Sequence, residues 1–446
     1  MRYENIKTII LTILVVTSIL LTWNLWTYQP NFERIEKEAN TVQEVTIEEK
    51  KEVNQIVRPD TLLFHLGEKQ TFGTVSPSEI DKVITEISDW NFADFENITE
   101  EADTFPSFVH KEGKAVLVFP DSVPIDLYKS VIKIGDKNLA DFQFDHIVID
   151  TKQTGKKEGI VDFVSLDNRQ VYRSHVPVSF IQNFKSQYFN LSEYNPEYRA
   201  YLAYTPSEKR TIYLPAKDTK MLRYQYLEKK LDSEQYKNAL FSDPSVVQKS
   251  FQQSEDEYND TLSLLRVNSD KNTLRYIKPA AGDNPVFPSD DLLKRSIEFI
   301  NGHSGWTDNY QFAEIDEVNH RVAFRMYESS GYPIFSDDPK LSEIRHIWGQ
   351  KEIYEYVRSN FQLGLITETP TEVSLSPGNR VMEYLLSLNG FEPELLEDVR
   401  LGYQMALVKE AQTTFIRLEP SWFYRYEGMW KSISLDETGG MNNGLE

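Results

Sequence analysis

"NRVMEYLLSLNG" (379–390), followed by "LGYQMALVKE", "TTFIRLEP" and "WFYRYEG", sets the fold class. The first run reads as a helix and the other three as strands of a meander. Asn389-Gly390 is a helix-stop signal that supplies a left-handed cap. A three-stranded meander has to cover its apolar face, and the helix that precedes it can do so. Working backwards, "DDLLKRSIEFING" (290–302) is another helix ending in Asn-Gly. It is followed by the strands "YQFAEIDEV", "HRVAFRMYES" and "YPIF". The two units, 290–335 and 379–428, read either as an internal repeat or as shared α+β grammar without common ancestry. Between them "DPKLSEIRHIWGQKEIYEYVRSNF" reads as one or two helices.

The same grammar extends towards the N-terminus. "TLLFHL", "AVLVFP", "FQFDHIVID", "GIVDFVSL" and "QVYRSHV" read as strands, with Asp167-Asn168 a hairpin turn. "SPSEIDKVITEISDW" reads as a helix capped by Ser76 or Ser78. "YRAYLAYT" and "RTIYLPA" are strands, a charge-rich helical stretch is expected from Thr219 to about Gln253, and a hairpin turns around Asn268–Asn272. The expected organisation is α+β throughout, with antiparallel sheets and helices packed on them. Residues 59–192, 193–288 and 289–446 form three domains.

In front of these domains stands "IILTILVVTSILLTWNLWTYQP" (9–30), with no charged residue between Lys7 and Glu33. About twenty residues at about 1.5 Å each span about 30 Å, the thickness of a hydrocarbon core. No small-residue cleavage site follows, and Trp23, Trp26 and Tyr28 suit a membrane interface. Residues 8–28 therefore read as an uncleaved transmembrane helix. Arg2 and Lys7 mark 1–7 as a cytoplasmic tail, which places the rest outside the cell. Residues 29–58, acidic and free of Gly beyond Pro30, read as a helical stalk or a solvated linker. On a helical wheel Thr8, Thr12, Ser18 and Thr22 share an arc of roughly 120°. Such a hydroxyl face is suited to packing against another membrane helix. Each hydroxyl bonding back to its own helix is the competing reading.

The chain has 446 residues and 40% hydrophobic residues, which is globular composition. It contains no cysteine, which excludes disulfides, Cys-ligated metals and thiol catalysis. The net charge of −21, without a basic stripe, argues against nucleic acid as a partner. The search for chemistry finds no catalytic, cofactor or metal motif. The seven histidines have no i, i+4 pair. His65, His146 and His175 fall in predicted strands and read as core-edge or surface residues. "GHSGW" (302–306) lacks nucleophile-elbow spacing, so Ser304 is not read as a nucleophile. Asp290-Asp291 and Asp337-Asp338 read as helix caps.

The opening resembles the YycH family, most closely in "YENIKTIILT" and "LTWNLWTYQP". YycH proteins are membrane-anchored accessory proteins of low-G+C Gram-positive bacteria. The single anchor, the lack of cysteine and the large α+β exterior fit as well. The resemblance implies a non-enzymatic regulator of the YycG (WalK) sensor histidine kinase, in the two-component system that controls cell-wall metabolism. It also implies partnership with a YycI-like protein and contacts through the membrane and outside it. The alternative is a tethered extracytoplasmic cell-wall enzyme or wall-polymer binder. An acidic cleft near His303 or His346 would favour that alternative.

Overall fold

The computed structural model describes residues 47–433, except 102–104, 153–157, 208–209, 283–290, 350–351 and 412, together with Leu14, Val15, Thr17 and Ser18. Those four are helical and exposed. The remainder of the expected span, including Thr8, Thr12, Thr22, Trp23, Trp26 and Tyr28, lies outside the described residues. Among the described residues no helix is long and apolar enough to cross a membrane.

Among the described residues three sheets form, and nearly all their pairings are antiparallel. The first runs in the order Arg210–Pro215, Arg199–Ser207, Gln70–Thr74, Thr61–Gly67, Lys114–Pro124, Gln143–Asp150, Glu158–Ser165, Gln170–Pro177, Asn91–Asn97 and Lys133–Ile134. Its central strands are buried over most of their length, as the unbroken apolar run "AVLVF" requires. The Pro77–Ser88 helix follows Ser76 at its N-cap position, with Pro77 opening the first turn. It buries Ile80, Val83, Ile84 and Ile87, one helical stripe. Each such side chain contributes about 1.5–3 kcal/mol.

The second sheet is built on the Leu396–Glu410 and Thr413–Tyr426 hairpin, which joins Thr219–Lys230, Phe361–Ile366, Thr371–Leu375, Ile334–Phe335 and Met429–Ile433. The third runs Gln248–Gln252, Glu255–Asn259, Leu264–Asn268, Thr273–Ile277, Ile353–Ser359, Glu343–Trp348, Arg321–Met326 and Tyr310–Asp316. The Leu292–Gly302 helix is tied to the third sheet by Trp348, whose indole N–H donates to Ser296 Oγ at 2.7 Å.

Several expectations are corrected. Thr219–Lys230 is a strand, and the helix behind it is only Ser233–Leu240. Charge density suggested a helix, but the strand buries Thr219, Met221 and Gln225 and is paired along its length with Thr371–Leu375, Thr413–Tyr426 and Phe361–Ile366. The stretch between the two units is also strand, Glu343–Trp348 and Ile353–Ser359. Its β-branched and aromatic residues dominate over its charges. "TTFIRLEP" and "WFYRYEG" form one strand, and Met429–Ile433 completes that meander. In the first unit, Ile334–Phe335 leaves its sheet to pair in parallel with Leu396–Glu410. The cap differs as well. After the Leu292–Gly302 helix the left-handed residue is Ser304, at φ 52°, whereas Gly390 takes φ 76° as expected. Of the acid pairs, Asp338 accepts from Lys340 N, whereas Asp291 sits at its N-cap without a side-chain bond.

Candidate functional site

Where the first sheet meets the C-terminal strands, the chain lays a polar seam around a cavity. Asp60, at the start of Thr61–Gly67, accepts from Arg400, which also donates to Asp398. The Arg400 guanidinium lies 5.1 Å from the Trp430 ring. Arg210 reaches Asp167 at 2.7 Å and the Glu397 carbonyl at 3.1 Å. Arg425 pairs with Glu397 at 2.9 Å and Glu314 at 3.6 Å. Asp121 accepts the Ile315 N–H at 3.0 Å across the seam. These links enclose a cavity of about 220 Å³ lined by, among others, His110, His146, Asp121, Tyr213, Arg400 and Trp430. A more polar neighbour of about 510 Å³ shares Val75, Tyr201 and Tyr332 with it.

Two histidines, His110 and His146, line the cavity, and a third, His65, is bonded to His110 behind them. His65 Nδ1 meets Thr71 Oγ1 at 2.9 Å, and His65 Nε2 meets His110 Nδ1 at 3.1 Å. The His110 ring lies 6.3 Å from His146 and 4.7 Å from Tyr213. His146 Nδ1 donates to Asp145 Oδ1, and Asp145 Oδ2 accepts the Leu166 N–H at 2.9 Å. Burial pushes His65 down to about 4, with Lys114 adding to the effect. Burial also holds His110 well below the ordinary imidazole value, helped by His65, His146 and Lys114. Both rings are neutral at pH 7. Burial pushes Asp121 up to about 6, against the pull of the Ser122 and Ile315 N–H groups. His65 and His146 are buried rather than the core-edge or surface residues expected of them, because partner strands and the Tyr213 wall cover them, while His175 is half-buried. Their meeting with His110 was invisible in the sequence. The fold brings together residues 45 apart in the chain, and no short spacing records that.

The region singled out around His303 is a packed interior. His303 and His346 are buried among Phe299, Tyr356 and Trp348. Burial, then Arg358, pushes His303 down to about 3. Arg358 is fully buried and donates to the Gly305 carbonyl at 2.5 Å and to Thr307 Oγ1. Ser304 is 2% exposed, and its carbonyl accepts the Glu48 N–H at 2.8 Å. Ile47 N–H donates to the His303 carbonyl, and Lys51 and Asn301 exchange two bonds at 3.0 and 2.9 Å. Lys51 Nζ donates to the Asp308 carbonyl at 3.0 Å. Ile56 and Val57 are then wholly buried. The segment from Ile47 onwards is thus hydrogen-bonded onto the end of the Leu292–Gly302 helix. Among the described residues no group of three or more His, Asp or Glu could hold a metal ion.

The sequence pattern of the YycH protein N-terminal domain matches residues 4–191, and that of the YycH protein C-terminal domain matches 209–440. The chain belongs to the YycH family. A curated relative from Bacillus subtilis (strain 168), named "Two-component system WalR/WalK regulatory protein YycH", is 26% identical over the full length of both chains. The crystal structure of YycH from Bacillus subtilis matches at a TM-score of 0.71 and 22% identity, covering 87% of this chain and 99% of that one. The α+β architecture is therefore the YycH fold. In these terms, the cavity lies between the parts matched by the family's N- and C-terminal domains.

Proposed function

We propose that this YycH-family chain is a non-enzymatic, membrane-anchored regulator of a WalK-type sensor histidine kinase. In this reading residues 8–28 span the membrane, the N-terminus is cytoplasmic and the sheets lie outside. A YycI-like anchored protein is the second partner. The observation that carries the reading is the end-to-end likeness to a relative named as a WalR/WalK regulator. The docked segment Ile47–Val57 supports it mechanically. Chain that leaves the membrane would join the body through backbone hydrogen bonds and buried apolar residues, and such an attachment can pass on force or orientation. A regulator needs only differential affinity for two kinase states, and a few kcal/mol suffices.

The contact face on the span is Thr8, Thr12, Ser18 and Thr22. Replacing all four with Leu keeps the segment apolar and removes its hydroxyl face. The variant should reach the membrane at normal levels and lose both its effect on a kinase-dependent reporter and its co-purification with the kinase. Unchanged reporter output after replacing the whole span with an unrelated transmembrane helix would sink the membrane-contact reading. The enzyme alternative has no support at His303, Ser304 or His346, which face packed interior rather than an acidic cleft.

A further inference from the structure

The seam cavity has an uneven hydrogen-bonding inventory. Its three arginines are all engaged by acids. Arg400 is held by Asp60 and Asp398, Arg210 by Asp167, and Arg425 by Glu397 and Glu314. Acceptor capacity is left over at two of the residues that line it. His146 lines the cavity and is 8% exposed. Its Nδ1–H is committed to Asp145, so in the neutral ring Nε2 is a bare acceptor, and Nε2 has no hydrogen-bond partner among the described residues. Asp121 receives one N–H on each oxygen, from Ser122 at one and Ile315 at the other. Each carboxylate oxygen keeps a further lone pair. Tyr213, Trp422 and Trp430 supply aromatic wall, which suits both an apolar body and a cation.

We propose that this cavity binds a small organic cation, a primary ammonium on an apolar body. Its N–H groups are received by His146 Nε2 and Asp121, and its body lies against Tyr213 and the two tryptophans. An anion is disfavoured because it would meet surplus carboxylates with every guanidinium already taken. A neutral isostere loses the charge-assisted bonds and binds at least about tenfold more weakly. A bound amine touches residues from both family domains. Binding does not depend on whether the chain acts on a kinase.

The test is titration of the full-length protein in detergent micelles with 2-phenylethylamine, 2-phenylethanol and 3-phenylpropionate, by calorimetry at pH 7.5. The amine should bind saturably, at least about tenfold more tightly than the alcohol or the acid. His146→Phe and Asp121→Asn should each weaken it by about tenfold or more, with unchanged thermal unfolding confirming the fold. In the wild type, the amine alone among the three should shift the His146 ring resonances, which keeps the test decisive if either variant fails to fold. No saturable binding at millimolar amine, equal affinity for the three probes, or unaltered binding in folded variants overturns the proposal.

Discussion

Replacing His346 with Phe should stabilise the protein, and more so in mild acid. His346 is fully buried in the Glu343–Trp348 strand, with ring centres of Tyr356, Phe299 and Phe324 at 5.1, 5.2 and 6.1 Å. Neither ring nitrogen has a hydrogen-bond partner among the described residues. A neutral imidazole carries one donor and one acceptor, and each left unpaired in the interior costs about 1–3 kcal/mol. Phe removes both and fits the same aromatic nest, at an overpacking cost of about 1–3 kcal/mol for its larger ring. At the middle of these ranges the expected net gain at pH 7 is about 2 kcal/mol. The pH dependence has a definite sign. Burial, with His303 and Arg358 nearby, holds the folded-state value well below 6.5. Wild-type stability from this group is therefore complete above 6.5 and declines as pH falls below it, because only the unfolded ring takes up the proton. The decline is up to about 1.4 kcal/mol per pH unit. His65, His303, Asp121 and Asp308 titrate in both proteins and cancel in the difference. Urea unfolding followed by circular dichroism at pH 7 and 5.5 measures it. A variant less stable than wild type at pH 7, or an advantage that fails to grow at pH 5.5, refutes the reasoning.

Two further perturbations address the seam. Arg400→Met strands Asp60, whose side chain is 5% exposed, beside Asp398 without a cation. Thermal unfolding should report a loss of about 3–5 kcal/mol, with a partial recovery in the Arg400→Met/Asp60→Asn double variant. Gly331 sits at φ 92°, and a Cβ there would lie 2.1 Å from the Val75 carbonyl and 2.9 Å from Pro77 Cδ. Gly331→Ala should cost about 2 kcal/mol or more, while Gly390→Ala, at φ 76° with no neighbour within 4 Å, should cost about 1 kcal/mol from backbone strain alone, as unfolding free energies will show.

Much of the architecture was legible because it is local. The Pro77–Ser88, Leu292–Gly302 and Gly378–Ser387 helices follow from apolar stripes of period 3.6, and the Asp167-Asn168 turn from its own chemistry. An expected helix became strand at Thr219–Lys230, where pairing on both sides overrides weak local preference. The apolar N-terminal run and its four hydroxyls were likewise readable from spacing, as was the family resemblance that the domain matches establish. The cavity was not readable. His65 and His146 on separate strands meet His110 in the turn after the Phe105–Val109 helix only once the chain is folded, and Asp60 finds Arg400 across 340 positions of chain. The sequence by itself determined which segments could be helix or strand, because periodicity and turn chemistry act within a few residues. Which charges are buried together, which histidines lose their protons to desolvation, and which acceptors are left facing a cavity were decided only by tertiary structure, since burial and long-range pairing belong to the folded surface and not to any stretch of the chain.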